Sequence, residues 1–139
     1  ISKLEGLKSS QASSREARTA ECDWFGAEET VALSEAAEEG SLAEYYAASL
    51  PAEVQLIRVG AWNFIGWPGE VFIEYALDLK KQEKNCFIIC LANGELQGYI
   101  ATKEAALEGG YEASNALFHW KSGDVLLATT LKLLRNEEE

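Results

Sequence analysis

The chain has 139 residues, 47% of them hydrophobic, and a formal net charge of −11. That length allows one modest domain, and the hydrophobic content supports a real core. Phosphate backbones are bound through Lys and Arg, so a chain this acidic is a poor nucleic-acid binder and a poor partner for anionic membranes, and no nucleic-acid partner is expected.

No apolar run approaches the ~18 residues of a membrane span, so no transmembrane segment is expected, nor does the opening stretch predict a secretory signal. Met is absent throughout, position 1 included, so a partial chain is expected. Residues 1–51 read as an acidic helical segment, a cap or an insertion, and 52–139 as an α/β or α+β region. A helix with a frayed start is expected over 1–21, with Asp23 or Gly26 beginning another that stops at Gly40. In "SLAEYYAASLP", Ser41 and Glu44 have capping-box spacing and Pro51 lies just past the end.

From Ala52 the pattern changes. "AEVQLIRVG" and "AWNFIGW" are β-rich runs separated by Gly60-Ala61, which predicts a hairpin. "GEVFIEYALDLKKQ" places Val71, Tyr75 and Leu79 at helical spacing, with Phe72 and Ala76 beside them, Glu70 in the first turn and Lys80 and Lys81 in the last. "NCFIICLAN" predicts a strand buried on both faces, with Cys86 and Cys90 as small buried thiols. Cys22 completes no metal or disulfide spacing. "LQGYIAT" is a short extended piece, and "TKEAALEGG" a short helix capped by Thr102. "GYEASNALFHW" has no clear period. "SGDVLLATTLKLLRN" predicts an amphipathic helix with Val125, Leu126, Thr129 and Leu133 on one face, and the final Glu run is a solvated tail.

His119 is the only histidine, and no G-x-S-x-G elbow accompanies it, so a catalytic triad is not supported. It reads as a surface or packed residue. Glu70 has two readings: a carboxylate favoured at a helix start, or a ligand group beyond the carboxyl end of a strand, where α/β proteins place their sites. Tyr99 and Tyr111 each follow a glycine in Gly/Asn-rich stretches, which read either as turns with packed aromatics or as functional loops.

Taken in order, "GWPGEVF", "LANGELQGYIAT" and "GGYEASNALF" resemble the C-terminal part of the catalytic domain of the neutral/alkaline non-lysosomal ceramidase family. The likeness covers residues 52–135, and Tyr99 and Tyr111 stand 12 apart, as in the family. Glu70 and Tyr99 stand 29 apart, a shorter connection than in the ceramidases, so the chain resembles a bacterial ceramidase-like relative rather than a ceramidase proper. The resemblance implies hydrolysis of an N-acyl, sphingolipid-like amide with one zinc ion. Glu70 and Tyr99 would be zinc ligands and Tyr111 the catalytic group facing the oxyanion. Two histidine ligands would come from an upstream part of the same domain. The partners implied are that upstream part and a small-molecule or lipid amide substrate. Family members are often exported, which leaves the compartment open. The alternative is a ceramidase-like domain that has lost catalysis and serves as a binding or structural module.

Overall fold

The computed structural model describes residues 6, 14–47, 49–94, 96 and 98–136. The chain divides into two compact units, Ile1–Tyr45 and Tyr46–Glu139.

The first unit is dominated by helix α1, Ser14–Glu38. It runs without a break through Asp23 and Gly26, where a new helix was expected. Its Ala- and Glu-rich sequence has high helix propensity throughout, and one interior glycine costs only ~1 kcal/mol. Thr30 Oγ1 donates to the Gly26 carbonyl (2.8 Å) and Ser34 Oγ to that of Thr30 (2.8 Å), which ties the hydroxyls into the same helical path. The start of the expected first helix, residues 1–5 and 7–13, lies outside the described residues. α1 closes at Gly40: the N–H of Ser41 bonds the Ala36 carbonyl and that of Gly40 the Ala37 carbonyl, a Schellman arrangement. Helix α2, Leu42–Ala47, follows. The expected capping box does not form, because Ser41 Oγ donates back to the Ala36 carbonyl (3.2 Å) and the Glu44 N–H meets the Ser41 carbonyl.

The second unit is α+β. Strands β1, Gln55–Val59, and β2, Trp62–Gly66, form the expected antiparallel hairpin, with Ile57 opposite Phe64 and Val59 opposite Trp62. Gly60 supplies the positive φ (+59°) that the two-residue turn requires. The chain continues through a two-residue strand β3, Glu70–Val71, into helix α3, Ile73–Gln82. Strand β4, Cys86–Ile89, then returns parallel to β2, giving a sheet of order β1-β2-β4. Strand β5, Tyr99–Ile100, pairs with β3 in a separate parallel sheet. Helices α4, Lys103–Glu108, α5, Tyr111–Ser114, and α6, Lys121–Arg135, complete the unit. Thr102 caps α4 as expected, its Oγ1 accepting from the Ala105 N–H (3.1 Å). α5 was not anticipated, since four residues hold too little periodicity to read.

The core lies between one face of the three-stranded sheet and helices α3 and α6. It contains Ile65, Trp67, Tyr75, Ala76, Leu79, Cys86, Ile100 and Leu126. Tyr75, Ala76 and Leu79 are the buried positions of α3, matching the expected stripe. On α6 the buried stripe is Gly123, Leu126 and Thr130; Val125 and Leu133, expected inside, are exposed. The buried face is one position out of phase with that reading, because Trp67 and Tyr75 approach α6 at Thr130 and Gly123. Trp67 Nε1 donates to Thr130 Oγ1 (2.9 Å), which donates to the Leu126 carbonyl (2.8 Å). Gly123 has the Tyr75 ring where a Cβ would stand. Arg58 closes the far end of α6, donating to the Leu133 and Leu134 carbonyls (3.1 and 2.8 Å) and to Asn136 Oδ1 (2.9 Å). A guanidinium there suits the negative end of the helix dipole.

β4 corrects two expectations. It is an edge strand buried on one face only, with Cys86 inside and Phe87 and Ile89 about half exposed. Cys90 falls just beyond the strand and is exposed, while Cys86 is buried, and burial pushes its thiol pKa up. The outer sheet face therefore presents Ile57, Val59, Trp62, Phe87 and Ile89, with the Phe87 ring 5.4 Å from Trp62 and 5.3 Å from Phe64.

Candidate functional site

Main-chain bonding beyond the sheet delivers Glu70. Trp67 extends the β2–β4 ladder, its N–H bonding the Ile89 carbonyl (2.9 Å) and its carbonyl the Ala92 N–H (3.0 Å). Pro68 and Gly69 accept from the N–H groups of Leu96 and Leu91, so the turn is pinned to the loop after β4. Glu70 emerges from this turn on β3. It is not in the first turn of a helix: α3 begins three residues later at Ile73, so the helix-start reading of Glu70 is replaced by a strand one. The extended conformation is fixed by β5, with Glu70 paired to Tyr99 and Val71 to Ile100, and the Phe72 N–H bonding the Ile100 carbonyl (3.1 Å).

Strand pairing sets Glu70 and Tyr99 side by side, since paired strands lie ~4.8 Å apart and paired residues share a face. The pairing brings the Glu70 carboxylate near enough to act on the Tyr99 phenol. Burial raises the Tyr99 pKa above its ordinary value of 10, as do the neighbouring Glu70, Tyr111 and Glu112. The phenol is thus held protonated, as a donor. Its ring meets Tyr111 edge-on at 6.1 Å and Phe72 edge-on at 6.5 Å. Tyr111, at the start of α5, is 38% exposed.

The three candidate residues therefore converge from three separate segments. Glu70 is exposed, Tyr99 half-buried and Tyr111 exposed, the gradient expected of a polar corner at the surface. His119 does not join them. It is exposed, its ring lies 4.8 Å from that of Trp120, and its Nδ1 accepts from the Lys121 N–H (3.3 Å).

Among the described residues no group of three or more His, Cys, Asp or Glu side chains could hold a metal ion. The donors present are one carboxylate and one phenol, both oxygen ligands that zinc accepts. Two oxygen donors fall short of the four ligands of a structural zinc site.

Sequence reasoning missed Asn115, which is 6% exposed and touches both tyrosine segments. Its carbonyl accepts from the Tyr99 N–H (3.1 Å), and its Nδ2 donates to the Tyr111 carbonyl (2.8 Å). The only signal was its position four residues after Tyr111, the spacing of a helical back-bond.

Two concavities lie elsewhere. A cleft of ≈ 440 Å³ is lined by Glu74, Tyr75, Lys81, Lys103, Trp120 and Asp124 and includes none of the three residues. An apolar groove of ≈ 370 Å³, lined by Leu50, Val54, Ile100, Phe118 and Val125, touches β5 through Ile100. Successive strand residues face opposite ways, so that groove opens on the side of β5 away from Tyr99.

No family model, curated protein or solved structure matches this chain.

Proposed function

We propose that this chain is the C-terminal segment of a ceramidase-like, zinc-dependent amidohydrolase that cleaves an N-acyl, sphingolipid-like amide. The observation that carries the reading is the pairing of Glu70 with Tyr99 on adjacent strands, with the Tyr111 ring against Tyr99. Residues far apart in sequence come together with the donor types that the motif resemblance calls for.

Glu70 and Tyr99 would hold the metal from one side, and two histidines from the upstream part of the domain would hold it from the other. Zinc, when bound, lowers the pKa of a coordinated water toward ~7 and so supplies hydroxide at neutral pH. Tyr111, exposed with its ring against Tyr99, would donate its hydroxyl to the oxygen that becomes negative as the amide carbonyl is attacked. Glu70 and Tyr99 are set side by side by the β3–β5 pairing, so their backbone is in place before any ligand arrives.

A non-catalytic module is the competing reading, and the short donor set among the described residues favours it. Zinc content of the protein together with its flanking polypeptide decides between them. The expected result is about one zinc per chain, lost in Glu70→Ala. Equal zinc in the two proteins overturns the ligand role, and no zinc in either supports the module.

A further inference from the structure

Asn115 is built into the corner in a way that core packing does not explain. Its main-chain N–H and its Nδ2 both donate to the Tyr111 carbonyl, at 3.1 and 2.8 Å. Its own carbonyl takes the Tyr99 N–H at 3.1 Å. One residue thus grips the backbone of both phenols. The approach is so close that a Cβ on Gly98 would overlap the Asn115 carbonyl oxygen, and Gly98 sits at φ +78°. Glycine is needed there on both counts.

This arrangement carries a cost. Asn115 Oδ1 is buried and meets no protein donor among the described residues. A buried acceptor without a donor is unfavourable, and an apolar residue of similar size would remove the penalty. What the amide supplies instead is the second hold on Tyr111. Because Oδ1 is fully buried, Asn115 does not reach a ligand itself; it acts through the two tyrosines.

We propose that Asn115 is the positioning residue of this corner: by clamping the Tyr111 carbonyl while holding the Tyr99 strand, it sets the Tyr111 phenol against the Tyr99 ring. The functional importance of that setting rests on the reading of the three residues as one site, but the setting itself is measured without zinc or substrate.

Three substitutions separate the grip from mere filling of space. Asn115→Ala removes the side-chain donor. Asn115→Asp keeps the shape, but at neutral pH its carboxylate only accepts. Asn115→Ser restores a donor, since a serine hydroxyl reaches the carbonyl four residues back, as Ser114 does to Gly110 and Ser34 to Thr30, both at 2.8 Å.

The readout is the nuclear Overhauser effect between the Tyr99 and Tyr111 rings in tyrosine-labelled protein, with the buried Trp67 indole N–H signal reporting an intact core. The expected result is a ring–ring signal in the wild type and Asn115→Ser, and its loss in Asn115→Ala and Asn115→Asp while the Trp67 signal is unchanged. A ring–ring signal that persists in Asn115→Asp, or its absence from Asn115→Ser, overturns the proposal. Should Asn115→Ala not fold, the Asp and Ser variants decide alone. Failure of the zinc reading shows instead in the metal content of the wild type, which this measurement does not involve.

Discussion

The interior under α3 and α6 and the corner around β3 and β5 treat their polar groups in opposite ways. In the interior the buried polar tips of Trp67, Thr130 and Tyr75 are answered. Trp67 Nε1 meets Thr130, Thr130 meets the Leu126 carbonyl, and the Tyr75 hydroxyl lies 2.9 Å from the Trp120 carbonyl and 3.2 Å from that of Ala101. In the corner, Glu70 and Tyr111 point outward and Asn115 keeps a buried acceptor unpaired. The corner's backbone is nevertheless tightly bonded, through the β3–β5 pairing and the Tyr99–Asn115 bond. The difference separates a closed interior from a corner whose backbone is fixed while Glu70 and Tyr111 stay exposed.

Substitutions sharpen that contrast. The largest effect is expected inside. Leu79→Ala empties a fully buried position and should cost about 2–5 kcal/mol in denaturant unfolding. Thr130→Val keeps the volume but leaves the Trp67 N–H without its acceptor, for a loss of about 1–3 kcal/mol. An interior indifferent to either change would erase the contrast.

How much of this was legible in the sequence follows from where each element gets its reason to exist. The hairpin, the α3 stripe at Tyr75 and Leu79, and the Thr102 cap are local, set by alternation, spacing and a side chain bonding its own turn. β3 is not local. Two residues have no periodicity, and Glu70 is extended only because Tyr99 pairs with it from 29 positions away. Reading Glu70 as a helix residue was the cost of seeing only its neighbours. The same applies to α6, whose buried phase is set by where Trp67 and Tyr75 arrive, and to Cys90, whose exposure depends on β4 ending at Ile89. The three candidate site residues were named from motif order, but their adjacency needed the fold. Asn115 needed it too, because its role is a pair of bonds to distant backbone.

Alkaline titration probes interior and corner together. Tyr75 and Tyr99 both have pKa values raised from 10, by burial first and then by nearby carboxylates, Asp124, Glu104 and Glu74 for Tyr75 and Glu70 for Tyr99, where Tyr111 and Glu112 add to the shift. A raised folded value means that the protonated phenol contributes stability that is complete below the unfolded value and is lost as pH rises through the folded one. The denaturation midpoint should therefore fall above about pH 10. Tyr75→Phe should flatten that fall more than Tyr99→Phe, because Tyr75 is the more deeply buried.

The smallest effect on stability is expected on the outer sheet face. Phe87 is 46% exposed among Trp62, Ile57 and Ile89. Phe87→Lys should change stability by no more than about 0.5 kcal/mol. It should also reduce binding of a hydrophobic dye, since it breaks an apolar patch spanning three strands. A large loss of stability would mean that this face is covered.

The central claim is that Glu70 and Tyr99, neighbours on paired strands, form one half of a metal site. Its most direct test is anomalous diffraction at the zinc edge from crystals of the protein with its flanking polypeptide. The account predicts a single strong peak bonded to both the Glu70 carboxylate and the Tyr99 hydroxyl, with Tyr111 beside it. A zinc peak that touches neither residue, or an ordered corner with no peak at all, would contradict it.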